Sequence, residues 1–141
     1  MSRWPRIDIT VDAIVLKEER DDYSVLLIKR KNEPYKNKWA FPGGFLDEGE
    51  TLQEAAIREL KEETDVDIHE LRQLHVFDDP NRDPRKRIIS VPHYVVINHD
   101  VNIKASDDAE DVQWFRLDQL PSLAFDHQEM MDMLKKKLAI D

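Results

Sequence analysis

The chain has 141 residues, room for one ordinary domain with a buried core, so a single domain over 1–141 is expected. Its 40% hydrophobic and 36% charged content reads as globular, and the absence of cysteine excludes disulfides, thiolate nucleophiles and thiolate zinc sites. The net charge of -9 argues against a nonspecific grip on nucleic acid, and apolar runs such as Ala13 to Leu16 are too short to span a bilayer.

The opening Met1-Ser2-Arg3-Trp4-Pro5 is not followed by the apolar stretch of an export signal, so a cytoplasmic location is expected. Ile7, Ile9, Val11 and Ala13 alternate with polar residues and run into Ile14-Val15-Leu16. Val25 to Ile28 forms a second apolar run before Lys29-Arg30-Lys31. Both predict strands, joined by the charged turn Lys17 to Tyr23. All three glycines then fall between Gly43 and Gly49. Thr51 to Thr64 lacks proline and glycine and is rich in helix formers, and Thr51 with Glu54 fits a capping box. Leu71 to Phe77, Ile88 to Ile97 and Asp111 to Phe115 predict strands, separated by the polar loop Asp78 to Arg87 and the acidic segment Ser106 to Glu110. Asp126 to Leu138 predicts a closing helix with Met130, Met131, Leu134 and Leu138 facing the core.

The chemistry concentrates around the predicted helix. Glu59, Glu62 and Glu63 are three and four residues apart, so they share one side, bordering the inward face that carries Leu52 and Ala56. Like charges at these spacings repel by a few tenths of a kcal/mol per pair, and negative charge in the C-terminal half of a helix opposes the macrodipole by about as much. Arg58 and Lys61 offset only part of this. A local rule broken without compensation points to a site, and a divalent cation would supply the compensation. Magnesium takes oxygen ligands and is commonly shared between carboxylates and substrate phosphates, where it neutralises charge and activates water. Gly43-Gly44, after Trp39-Ala40-Phe41-Pro42, lets the backbone turn and approach a ligand closely.

Gly44, Glu50, Arg58, Glu59, Leu60, Glu62, Glu63 and Val66 together resemble the Nudix box in identity and register. The departure is Asp65, where that family has glycine in a left-handed backbone; a small cost in stability and no loss of chemistry is expected. The resemblance implies an α/β fold, the Nudix α/β/α sandwich, with a central mixed β-sheet, the box helix on one face and the C-terminal helix on the other. It implies Glu59, Glu62 and Glu63 as catalytic metal ligands for magnesium, with manganese as a substitute, and a backbone carbonyl of Gly43 or Gly44 as a further ligand. Glu50 and Arg58 would hold the loop against the helix. The family often places a further acid, as metal ligand or general base, in a loop before a late strand; Asp107, Asp108 and Glu110 are the candidates, against the competing reading of plain solvated loop acids.

Phe41 to Phe45, the loop Arg82-Asp83-Pro84-Arg85 with Arg87, and Leu123 to His127 resemble the ADP-ribose pyrophosphatase branch of that family. This implies hydrolysis of ADP-ribose to AMP and ribose 5-phosphate. Arg30, Arg82, Arg85 and Arg87 are then candidate cationic contacts to a small-molecule nucleotide substrate, and Trp39, Phe45 and Phe77 candidate stacking partners for adenine, against the competing reading that aromatic residues beside strands are core. Surface pairing with Asp78, Asp79 and Asp83 competes for the loop arginines. His127 reads as a satisfied histidine at a helix start. No nucleic acid and no membrane partner are expected, and the resemblance allows a homodimer without requiring one. The alternatives are a hydrolase of nucleoside triphosphates or other nucleotide sugars, and a noncatalytic ADP-ribose sensor. The sensor is disfavoured by the intact carboxylates and by the lack of room for an added DNA-binding domain.

Overall fold

A computed structural model describes residues 4–141; Met1-Ser2-Arg3, read above for the absence of an export signal, lie outside them. The chain runs β1 (Asp8–Glu19), β2 (Asp22–Arg30), β3 (Trp39–Ala40), β4 (Gly43–Phe45), α1 (Leu52–Thr64), β5 (Arg72–Gln73), β6 (Ile88–Ile97), β7 (Ala109–Arg116) and α2 (His127–Lys137). A single sheet has the order β3-β2-β1-β6-β5, with β4 also paired to β1 and β7 to β2. β1 and β6 run parallel along ten residue pairs, whereas β1 is antiparallel to β2 and β4, so the sheet is mixed.

Period-two alternation in β1 builds the two cores. Val11, Ala13 and Val15 point to one face, where Ala55, Ala56 and Leu60 of α1 cover them. Ile14 and Leu16 point to the other, against Met130, Met131 and Leu134 of α2. Each such fully buried Leu, Ile or Met contributes about 1.5–3 kcal/mol by leaving water. The result is the α/β/α sandwich expected from the resemblance, with the box helix and the C-terminal helix on opposite faces. Among the described residues no helix is long and apolar enough to cross a membrane.

Three boundaries differ from the sequence expectation. The first hairpin keeps pairing through the charged stretch out to Glu19 and Asp22, because exposed charges at a hairpin end do not stop a ladder. The strand expected over Leu71 to Phe77 shrinks to Arg72–Gln73, with one isolated bridge from Phe77 to Ser90. Its partner at the next position is Pro92, which accepts from the Leu74 N–H but has no N–H to return, so the ladder stops there. β7 begins at Ala109, inside the segment expected to be an acidic loop, because Ala109 is buried against Ile28, Ala40 and Ala124.

Candidate active site

α1 starts where the sequence placed it. Thr51 caps the helix, its hydroxyl accepting from the Glu54 N–H at 3.1 Å while the Glu54 carboxylate accepts from the Thr51 N–H at 2.8 Å. The helix ends at Asp65 in the left-handed region (φ 65°, ψ 12°), its N–H donating to the Lys61 carbonyl. Between these ends Ala55, Ala56, Leu60 and Thr64 face the sheet, so Glu59 and Glu63, each one position back, lie along the helix's inner border. Glu62 stays largely in solvent, its side chain 58% exposed.

The glycine turn meets this border. Gly43 pairs with Asp12 and Gly44 with Val11, and the Gly43 N–H donates to the Glu63 carboxylate at 2.7 Å. A Cβ built on Gly44 would lie 2.6 Å from the Glu59 carboxyl carbon, so only glycine leaves room for that carboxylate. Withdrawal from water, with the nearby charges of Glu59 and Asp12, pushes the Glu63 carboxyl up to about 8, against the Gly43 hydrogen bond. Burial also raises Glu59, partly opposed by Arg58 and reinforced by Glu62 and Asp47.

Arg58 is the hub of the box. Its Nε and Nη2 donate to Glu50 at 3.0 and 2.6 Å, Nη2 also reaches the Phe45 carbonyl at 3.1 Å, and Nη1 donates to Glu59 at 2.7 Å and Glu62 at 3.3 Å. Glu50 in turn accepts from the Asp47 N–H at 2.8 Å, which ties the loop to the helix. The Arg58 hydrogen bonds hold the Glu50 carboxyl below the usual carboxylate range.

The glycine turn and Glu63 border a cleft of about 180 Å³ that brings Gly43, Gly44 and Glu63 together with Arg30, Phe45 and Arg85, while Glu50, Arg58, Glu59 and Glu62 stand outside its lining. A larger depression of about 470 Å³ lies at the β5–β6 edge between Arg72, Tyr94 and Leu138. It contains none of the motif residues, so the chemistry belongs to the smaller cleft. Several residues proposed from sequence stand elsewhere. Trp39 packs edge-on against Phe115 at 4.7 Å in the α2-side core, and Phe77 belongs to that same core. Arg87 donates to the Asp78 carbonyl at 2.9 Å, outside the cleft. Asp107, Asp108 and Glu110 are exposed and do not line it either. The alternation of β7 turns Ala109 inward and leaves Glu110 facing out. Arg82 lines the cleft but is buried, committed to Asp126 through two bonds of 2.9 and 2.7 Å. Asp83 takes two bonds from Arg85, at 3.1 and 2.8 Å. The competing reading of surface pairing thus holds in part for this loop.

Asp12 was missed. Its alternation with Val11 and Ala13 reads as an outward polar position, yet it is 7% exposed and lines the cleft. Its carboxylate accepts from Ser90 Oγ at 2.6 Å and lies 3.5 Å from His127 Nε2. His127, buried at the start of α2, accepts from the Phe41 N–H through Nδ1 at 3.2 Å and stacks on the Phe41 ring. A signal was present: β1 is a long apolar run flanked by strands on both sides, where a carboxylate needs partners.

The donor set fits a divalent cation. Hard carboxylate oxygens crowd one helix border, two of these carboxyls are raised by burial and mutual charge, and Gly44 leaves the space a Cβ would fill. Among the described residues no three acidic or imidazole groups converge as a ready-made metal cage; Glu59 and Glu62 turn toward Arg58 instead.

The NUDIX domain family profile matches residues 7–134. An ADP-ribose pyrophosphatase of Methanocaldococcus jannaschii is 44% identical over 124 residues, covering 87% of this chain and 70% of that protein. An ADPR responsive transcriptional repressor, NtrR of Acinetobacter baylyi, is 32% identical over 97% of this chain, which spans 56% of the repressor's length. The NUDIX domain of Shewanella oneidensis NrtR, solved in complex with ADP ribose, superposes with a TM-score of 0.86 at 28% identity, covering 96% of this chain and 90% of that one.

Proposed function

The chain belongs to the Nudix family and is a Nudix hydrolase, and from that premise we propose that it acts as a single domain splitting ADP-ribose into AMP and ribose 5-phosphate with a divalent cation. The observation that carries the reading is one cleft lined by Glu63 of α1, bonded to the glycine turn, together with Arg30 and Arg85. Acids that can share a cation and forks that can bind a diphosphate then act on the same linkage.

Magnesium, or manganese in its place, held by Glu59, Glu62 and Glu63 would neutralise the diphosphate oxygens as water adds across the P–O–P linkage. The chain's own residues do the positioning. Arg30 and Arg85 bind diphosphate oxygens, the 40% exposed ring of Phe45 offers a stacking face, and Gly43 N–H and Arg58 orient Glu63 and Glu59. Glu50 fixes Arg58 and stands outside the chemistry.

A binding-only role is the second reading, favoured by the similarity to the ADPR responsive repressor and to the NrtR domain that binds ADP ribose. Product analysis over ADP-ribose, a nucleoside triphosphate and a second nucleotide sugar separates the readings. The expected outcome is AMP and ribose 5-phosphate from ADP-ribose, dependent on magnesium. Preferred release of pyrophosphate from the triphosphate overturns the substrate assignment, and binding of ADP-ribose without products supports the second reading.

A further inference from the structure

Of the three arginines that line the cleft, Arg82 is committed to Asp126, and the other two come from separate elements, Arg30 from the end of β2 and Arg85 from the loop before β6, with Arg30 near enough to feel the charge of Arg85. Neither is neutralised in full. Arg30 donates Nε to the Pro34 carbonyl at 2.7 Å, and Arg85 donates Nε and Nη2 to Asp83. Among the described residues Nη1 of Arg85 and both Nη atoms of Arg30 have no hydrogen-bond partner.

Both guanidinium groups also lie against one aromatic ring. The Arg30 guanidinium lies 5.0 Å from the Phe125 ring centroid and that of Arg85 lies 5.7 Å from the same centroid. Phe45 supports Arg85 from another side at 5.6 Å. Phe125 does not line the cleft.

The ring is itself fixed by its backbone. Phe125 has φ 53°, a left-handed conformation rarely taken by an aromatic residue. Both neighbours anchor it: the Ala124 N–H donates to the Trp39 carbonyl at 2.8 Å, and Asp126 is locked to buried Arg82. Tyr35 packs against the ring at 4.8 Å. A strained residue over-determined by its surroundings is where a positioning role is expected.

We propose that Phe125 is a positioning residue: its ring aligns Arg30 and Arg85 into one metal-independent site for the doubly charged diphosphate of the substrate. Two forks already oriented lose less freedom on binding than two mobile ones, so the ring acts on affinity. This rests on reading the cleft as an ADP-ribose site.

The test is calorimetric binding of ADP-ribose in EDTA, with KM and kcat measured separately in magnesium. Phe125→Leu removes the aromatic face and is expected to weaken binding and raise KM by about threefold to thirtyfold, with kcat within about threefold of wild type. Phe125→Tyr keeps the face and is expected to restore both. Site-specific mono-, di- and trifluorinated phenylalanine at position 125 drains the ring's negative face without reshaping it, so affinity falls stepwise even if Phe125→Leu does not fold. An affinity indifferent to fluorination, or a wild type that binds only with a cation, overturns the inference. A wild type that binds in EDTA and shows the fluorination series but yields no products defeats the proposed hydrolysis and leaves the arginine site standing.

Discussion

The Gly43 N–H points at the Glu63 carboxylate from 2.7 Å, joining the glycine turn to an acid 20 residues later on α1. Between them Gly44 sits so close to Glu59 that a single added methyl would collide with the carboxylate. The spacing of the box is therefore a packing requirement as well as a pattern.

Gly44→Ala tests that packing. The new Cβ would lie 2.6 Å from the Glu59 carboxyl carbon and 2.6 and 2.7 Å from its oxygens, so the carboxylate must move. Turnover of ADP-ribose is expected to fall about a hundredfold, since displacing a reacting or ligating group by about 1 Å has that scale of effect. The thermal midpoint should change little, because the collision is with the end of a side chain at the cleft. A variant as active as wild type would show that Glu59 need not lie against the turn.

Asp65→Gly addresses the family departure. Asp65 holds φ 65°, where glycine carries no Cβ penalty, and its ion pair with Lys61 at 3.2 Å is exposed on both sides and contributes little. The substitution is expected to stabilise the fold by about 0.5–1 kcal/mol in urea denaturation, with turnover unchanged. Destabilisation would mean that the Lys61 pair outweighs the backbone term.

Much of this region was legible because its signals are local. Thr51 with Glu54, and Asp65 in the glycine position, specify the two ends of α1 through hydrogen bonds and dihedral preference within a few residues. The alternation of β1 and the apolar stripe of α2 likewise marked a strand and a core-facing helix, whereas the layering followed from the family resemblance. What failed to show was set by partners distant in sequence. The end of β5 depends on Pro92 in the facing strand, the burial of Asp12 on Ser90 and His127, and the seclusion of Trp39 on Phe115. The role of Phe125 depends on two arginines brought to it by different elements.

The buried histidines give a pH dependence. Burial pushes His127 below the ordinary value of about 6.5, against the charges of Asp12 and Asp126, and burial does the same to His93 against its Val91 carbonyl bond. Below pH 6.5 the unfolded chain takes up protons that the native rings refuse. Their stabilisation is thus complete above that pH and falls as pH drops, by up to about 1.4 kcal/mol per unit for each ring. Titration by NMR of carbon-labelled histidine should find both rings titrating below 6.5, with the neutral His127 ring carrying its proton on Nε2 facing Asp12. Either ring titrating above 6.5 would contradict the assignment of burial as the dominant cause.

The most direct test of the central claim compares magnesium-dependent turnover of ADP-ribose by the wild-type chain with that of Glu63→Gln, with circular dichroism to verify the fold. The amide keeps the size of the side chain and an oxygen for the Gly43 N–H, but loses the charge that a cation requires. The expected result is AMP and ribose 5-phosphate from the wild type and a rate lower by orders of magnitude in the folded variant. Equal rates, or activity indifferent to magnesium, would contradict the account.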